Sequence, residues 1–160
     1  VRVIATASRD ESREFAERMG ADVVIDHRRL RDEALRVAPG GVDYLFTPFT
    51  AGNIDTFADI VRPFGHITAI DEPPGLDLLP LKPKSIAWHW ELMFTRSMYE
   101  TPDMIEQHKL LNEIARLVDT GAIRHTMTEN FGRIDAANLK RAHARVESGT
   151  MRGKLVLEGF

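Results

Sequence analysis

The feature that most constrains this chain is an alternation of short apolar runs with polar stretches of helical spacing. Val1 to Ala7 is β-branched and apolar and ends in Ser-Arg-Asp, which predicts a buried strand followed by a helix N-cap at Ser8 or Asp10. From Glu11 the apolar positions Phe15, Ala16 and Met19 recur at helical spacing, and Gly20 closes the run as a left-handed C-terminal cap does. Val23-Val24-Ile25 is the heart of a second strand over 21–26, of the kind covered on both faces in a parallel sheet. The cycle repeats with a polar helix over 29–37, a Pro-Gly-Gly break at 39–41 and a strand over 42–46. A helix over 51–60 follows, with Ile54, Phe57, Ala58 and Val61 on one face; Pro63 and Gly65 then turn the chain into a strand over 66–70. Strands joined in this way by helices of about ten residues pack as an α/β doubly wound parallel sheet.

Past Asp71 the character changes. Glu72-Pro73-Pro74-Gly75, Pro80 and Pro83 make a loop too rich in proline for helix or central strand. Residues 85–94 alternate well enough for a fifth strand with its large aromatics on one face, and 103–120 form an amphipathic helix carrying Ile105, Leu110, Leu111, Ile114, Leu117 and Val118. A strand over 123–131, a helix over 134–148 capped by Asp135 and a terminal strand over 154–158 complete the pattern.

Composition excludes several classes of function. A chain of 160 residues suits one domain and buries roughly two-thirds of its unfolded surface. Hydrophobic residues at 43% and charged residues at 28% fit a soluble domain without a membrane span. A net charge of -3 with scattered cations gives no footprint for nucleic acid. With no cysteine, thiolate nucleophiles and cysteine-held zinc are excluded for this chain, and a reducing cytoplasmic setting is compatible. The six histidines show no compact ligand spacing, so no metal site is expected, and no catalytic residue is nominated.

Four stretches together resemble the zinc-type alcohol dehydrogenase and quinone oxidoreductase family of the medium-chain dehydrogenase/reductase superfamily. They are V-I-A-T-A-S-R at 3–9, M-G-A-D-V-V-I-D-H-R at 19–28, F-G-H-I-T-A-I-D at 64–71 and A-H-A-R-V-E-S-G-T-M-R-G-K-L-V-L-E-G at 142–159. H-W-E-L-M-F-T-R-S-M at 89–98 is similar to the subgroup of zinc-type alcohol dehydrogenase-like proteins. The resemblance implies a Rossmann-type domain that binds NADP(H) at the carboxyl ends of its strands. In that register the first strand and its glycine-rich turn lie before Val1, and no G-x-G-x-x-G occurs in the chain. The expectation is therefore a C-terminal portion: residues 1–122 as a partial NADP(H)-binding domain, and 123–160 packing on an N-terminal catalytic domain. The strands from Val1 and Val42 are expected to lack their shared neighbour.

The same register gives candidate cofactor contacts. Ser8 and Arg9 end the first strand, where a hydroxyl and a cation suit the 2′-phosphate of NADP and an acid would suit NAD. His27 and Arg28 end the next strand, beside the adenosine side. Thr47, with Pro48 and Phe49, and Ile70 with Asp71 end the third and fourth strands, where the family holds the nicotinamide. Phe94 ends the fifth, and Lys154 is a candidate for a cofactor phosphate. Trp88 and Trp90 are expected at a subunit seam, because this strand in the family commonly pairs across a homodimer. The implied reaction is hydride transfer between NADPH and a carbonyl or quinone-like substrate, by a parent enzyme of which this portion alone is inactive; zinc would come only through residues outside this chain. The competing reading is a non-catalytic dimerising module without a phosphate loop.

Overall fold

The computed structural model describes residues 1–159. Its elements run β1 (Ile4–Thr6), α1 (Asp10–Arg18), β2 (Val23–Ile25), a 3-10 turn (His27–Arg29) leading into α2 (Leu30–Val37), β3 (Val42–Thr47), α3 (Ile54–Ile60) and β4 (Val61–Ala69). After a loop with a second 3-10 turn (Leu79–Lys84) come β5 (Ala87–Trp90), α4 (Thr95–Met98), α5 (Ile105–Asp119), β6 (Met127–Arg133), α6 (Ala136–Glu147) and β7 (Lys154–Glu158). Every strand pair is parallel, and each is joined through a helix or a long crossover, as parallel pairing requires. The fold is the α/β, Rossmann-like parallel arrangement expected from the sequence.

The strands form three sheets rather than one. β1 pairs with β2, β3-β4-β5 form a second sheet with β4 central, and β6 pairs with β7. The edges of β1 and β3 are therefore not paired with each other, and both border one cleft. The core lies beneath the second sheet. Ile54, Phe57 and Ile60 recur at helical spacing on α3 and pack with Val61, Ile67, Leu81, Ile25 and Ala34, all at most 8% exposed. Each large side chain so buried contributes about 1.5–3 kcal/mol.

The junction of α3 and β4 depends on one glycine. Between the pairs Val42↔Val61 and Tyr44↔His66, β3 advances two residues while β4 advances five. The extra residues include Pro63, Phe64 at φ 61° and Gly65. A Cβ on Gly65 would stand 2.5 Å from Val61 Cγ1 and 3.1 Å from the Asp43 carbonyl, so the turn closes only without a side chain there.

Three sequence expectations are corrected. Neither Ser8 nor Asp10 caps α1: Arg9 holds the N-cap position without a side-chain bond, while Asp10 and Glu11 lie in the first turn, at the positive end of the helix dipole. β5 stops at Trp90, because Glu91 N–H makes the last ladder bond, to Ala69, where β4 ends. Phe94 is therefore not a strand-end residue but the exposed N-cap of the one-turn α4. β6 begins at Met127 instead of Ile123. Ile123 N–H is already used to close α5 against the Leu117 carbonyl, and pairing starts only where Lys154 N–H meets the Thr126 carbonyl. Other elements match closely. Asp135 caps α6 by accepting from Asn138 N–H at 2.8 Å, and β7 occupies the expected residues.

Candidate functional site

The cleft between β1 and β3 has a volume of about 950 Å³. One wall carries Ile4, Thr6, Ile25 and His27, the other Val42 to Phe49, with Asn53 and Phe57 of the third helix region below. Because β1 and β2 run parallel, as do β3 and β4, the loops after each pair open at the carboxyl ends of their strands. The cleft itself runs along both edges, from Val1, Arg2 and Val42 to Thr6, His27 and Thr47, where the family register sets the shared neighbour of the two strands; in open α/β sheets ligands bind outside the carboxyl ends of the strands.

Beside the first wall, Ser8 and Arg9 follow β1 after Ala7. Arg9 is exposed, and among the described residues its guanidinium has no hydrogen-bond or ion-pair partner. Arg28 is placed differently. Its guanidinium clasps Asp26 through Nε at 3.0 Å to both oxygens and Nη2 at 2.6 Å, and Nη2 also reaches the Ser8 carbonyl at 3.4 Å. Asp26 additionally accepts from Arg28 N–H at 2.9 Å, an Asx turn that starts the 3-10 turn after β2. The hydrogen bonds from Arg28, side chain first and backbone second, hold the Asp26 carboxyl well below the usual carboxylate range. The Arg28 charge is thus largely spent on Asp26, whereas that of Arg9 is open.

On the second wall, the tips of β3 and β4 are tied together by a buried polar cluster. Thr47, 5% exposed, accepts from Phe49 N–H at 3.0 Å, and its hydroxyl donates to the Phe49 carbonyl at 2.9 Å. Ile70 N–H donates to the Thr47 carbonyl at 3.2 Å. Thr50, fully buried, donates its N–H at 2.7 Å and its hydroxyl at 2.9 Å to Asp71 Oδ2, while Asp71 Oδ1 is buried without a partner. Asp71 thereby fixes the loop from Thr47 to Asn53 at the rim of the cleft.

Of the residues expected from the sequence, His27 and Thr47 line the cleft, while Ser8, Arg9, Arg28, Ile70, Asp71, Phe94 and Lys154 do not. Arg28 is tied to Asp26 and the Ser8 carbonyl, and Ile70 and Asp71 are tied to the Thr47–Thr50 loop. Lys154 is exposed at the start of β7, in the separate β6–β7 sheet. Sequence reasoning passed over Asp26 and Thr50. The Asp-x-Arg spacing of 26 and 28 is a readable Asx-turn signal, but nothing local to Thr50 announces a partner 21 residues away. Among the described residues no group of three or more His, Asp or Glu side chains is gathered closely enough to hold a metal ion, and no helix is long and apolar enough to cross a membrane.

Comparison with known proteins places this geometry. The zinc-binding dehydrogenase family profile matches residues 19–157. A zinc-type alcohol dehydrogenase-like protein of Staphylococcus aureus strain COL is 39% identical over 157 residues, 97% of this chain and 47% of that protein. The crystal structure of a candidate zinc-dependent alcohol dehydrogenase from Rhizobium etli superposes over the whole chain and 47% of its own length, with 46% identity and a TM-score of 0.91. A mycobacterial protein in complex with NADPH shares the fold at 21% identity, with a TM-score of 0.78, over 99% of this chain and 49% of its own. The chain spans about half the length of these relatives.

Proposed function

Because the chain belongs to the zinc-binding dehydrogenase family, we propose that it is the cofactor-side portion of an NADP(H)-dependent oxidoreductase. The proposed reaction is hydride transfer between NADPH and a carbonyl compound or an activated alkene such as a quinone or enone. The observation that supports this reading is that the parallel pairs β1–β2 and β3–β4 carry Ser8 and Arg9, His27, Thr47, and Ile70 and Asp71 just at or beyond their carboxyl ends.

The residues present suit one end of the cofactor better than its middle. Arg9, unpaired beside the Ser8 hydroxyl and with no acid at the tip of β1, supplies the cation and donor that a 2′-phosphate takes. His27 offers a ring on the wall of the cleft. The loop fixed by Thr47, Thr50 and Asp71 presents a rigid opposite rim, suited to positioning a planar ring and its ribose. The pyrophosphate is less well served, since no G-x-G-x-x-G turn occurs in the 160 residues. When bound, the cofactor carries the hydride; this chain binds and orients it and contributes no assigned proton donor. We assign no zinc ligand to this chain, so a zinc-assisted step would rest on residues outside it.

In the full-length protein, Arg9→Ala is expected to raise the apparent KM for NADPH roughly tenfold or more over its effect on NADH, the worth of a charged hydrogen bond. An equal effect on both cofactors would sink the 2′-phosphate assignment. A homodimer through β5 is proposed as well. Glu91 N–H points to β4, so by strand alternation the N–H groups of Trp88 and Trp90 face the open edge. Trp90→Pro deletes a donor from that edge alone and should give monomer in sedimentation; an unchanged dimer rules the seam out. A dimer that binds neither nicotinamide cofactor would favour the non-catalytic module instead.

A further inference from the structure

The β6–α6–β7 unit touches α1 at both ends. Arg124, shortly before β6, donates to the Arg18 carbonyl at the carboxyl end of α1, where a cation meets the negative end of the helix dipole. Arg152, in the loop between α6 and β7, donates through Nη1 to Glu11 Oε2 at 2.5 Å in the first turn of α1. Among the described residues these are the side-chain hydrogen bonds that join residues 124–159 to the rest of the chain. The backbone that carries Arg152 is fixed: the Thr128 hydroxyl donates to the Arg152 carbonyl at 2.5 Å, and Gly153 packs against the Thr126 carbonyl. Its guanidinium is held only by Glu11, in a pair whose side chains are 36% and 69% exposed. Glu129, whose carboxyl also feels the Arg152 charge, is engaged by Arg145.

On the NADP(H) reading of this chain, we propose that Arg152 is the second guanidinium of the 2′-phosphate site begun by Ser8 and Arg9, supplied by the C-terminal unit and held by Glu11 until a phosphate competes for it. Glu11 stands two residues beyond Arg9 at the start of α1, so the ion pair brings the Arg152 side chain to the carboxyl end of β1, beside the unpartnered Arg9. An exposed arginine–carboxylate pair is worth little. A phosphate dianion between two guanidiniums takes bidentate, charge-assisted hydrogen bonds from each. The exchange therefore favours the phosphate and returns an already exposed Glu11 to water. Arg28, the other guanidinium beside Ser8, does not serve in this way, because Asp26 engages it through three side-chain hydrogen bonds. A dinucleotide without the 2′-phosphate offers Arg152 nothing in place of Glu11, so this residue acts on the choice between the two cofactors. Glu11 and Arg152 are 141 residues apart, and no local pattern announces the pair.

Calorimetric titration of the full-length protein with adenosine 2′,5′-bisphosphate and with adenosine 5′-phosphate, which differ in the 2′-phosphate alone, tests the assignment. Arg152→Ala should raise the Kd of the bisphosphate about tenfold more than that of the monophosphate, the worth of a charged hydrogen bond, and Arg152→Lys should recover part of the loss. Glu11→Gln frees the guanidinium and should lower the Kd of the bisphosphate about two- to fivefold. These opposite signs separate a ligand role from a packing one. Equal effects of Arg152→Ala on the two ligands, or a weakening by Glu11→Gln that matches Arg152→Ala, overturns the proposal and leaves the pair as a fastening of the C-terminal unit on α1. If Arg9→Ala discriminates between the ligands and Arg152→Ala does not, Arg152 is excluded while the 2′-phosphate reading stands; if neither discriminates, both fall.

Discussion

Two helices of this chain show opposite relations between pattern and burial. α3 has seven residues and buries three of them, Ile54, Phe57 and Ile60, against β4 and the loop through Leu81. α5 has fifteen residues and an apolar stripe, yet buries none; Ile105, Leu110 and Leu111 are between 54% and 61% exposed. The contrast extends to the halves that contain them. Among the described residues beyond Leu81 the only buried apolar side chain is Ala142, whereas the preceding part holds a contiguous core. An amphipathic stripe is thus a capacity for burial, realised only where a second apolar surface meets it.

The sharpest way to break the comparison is a pair of truncations. Ile67, fully buried on the central strand β4, should cost about 2–5 kcal/mol when changed to alanine. Leu111→Ala on α5, 61% exposed, should fall within about 0.5 kcal/mol. Urea unfolding of both variants measures the difference, and equal losses would mean that α5 is packed in solution. A smaller effect sharpens the picture of the β6–α6–β7 unit, which has local rather than core anchorage. Gly153 adopts φ 67°, and a Cβ there would meet the Thr126 carbonyl at 2.2 Å. Gly153→Ala should cost about 1–3 kcal/mol and raise amide exchange in β6 and β7 while leaving β3 and β4 protected. Uniform loss of protection would show that the two halves unfold as one.

The comparison also explains what the sequence made legible. The strand–helix alternation through Ala69 was readable because each element has a partner that realises its pattern: Val23-Val24-Ile25 is a strand against β1, and Ile54, Phe57 and Ile60 face one core. Parallel pairing followed from the strand–helix alternation, and the separation of β1 from β3 from the family register. Strand ends were less legible, since β5 and β6 stop and start where a neighbour supplies the last hydrogen bond, a property of the partner rather than of residues 91–94 or 123–126. Strand tips were legible by position, as with those that precede Ser8 and Arg9, end at Thr47 and lead into Asp71. Their chemistry was not: that Arg28 is spent on Asp26, or that Asp71 clasps Thr50, depends on folded distances. Phe94 was misplaced because an aromatic stripe at strand spacing continues past the point where β4 ends.

The smallest expected effect concerns an ion pair between α6 and β6. Arg145 donates through Nε at 2.9 Å and 3.1 Å and through Nη2 at 2.7 Å to the two oxygens of Glu129. These hydrogen bonds, together with the nearby positive charge, hold the Glu129 carboxyl below its ordinary value. A carboxyl depressed in the folded state contributes stability above its unfolded value and loses it as pH falls through the folded one. Both side chains retain partial exposure, at 31% and 26%, so solvent and salt screen the pair and the contribution is modest. Acidification should therefore raise amide exchange in β6 and α6 before β3 and β4, and added salt should reduce the difference. Glu129→Gln should remove this pH dependence while leaving the core unchanged. Persistence of the same acid-induced opening in Glu129→Gln would place the responsible carboxylate elsewhere.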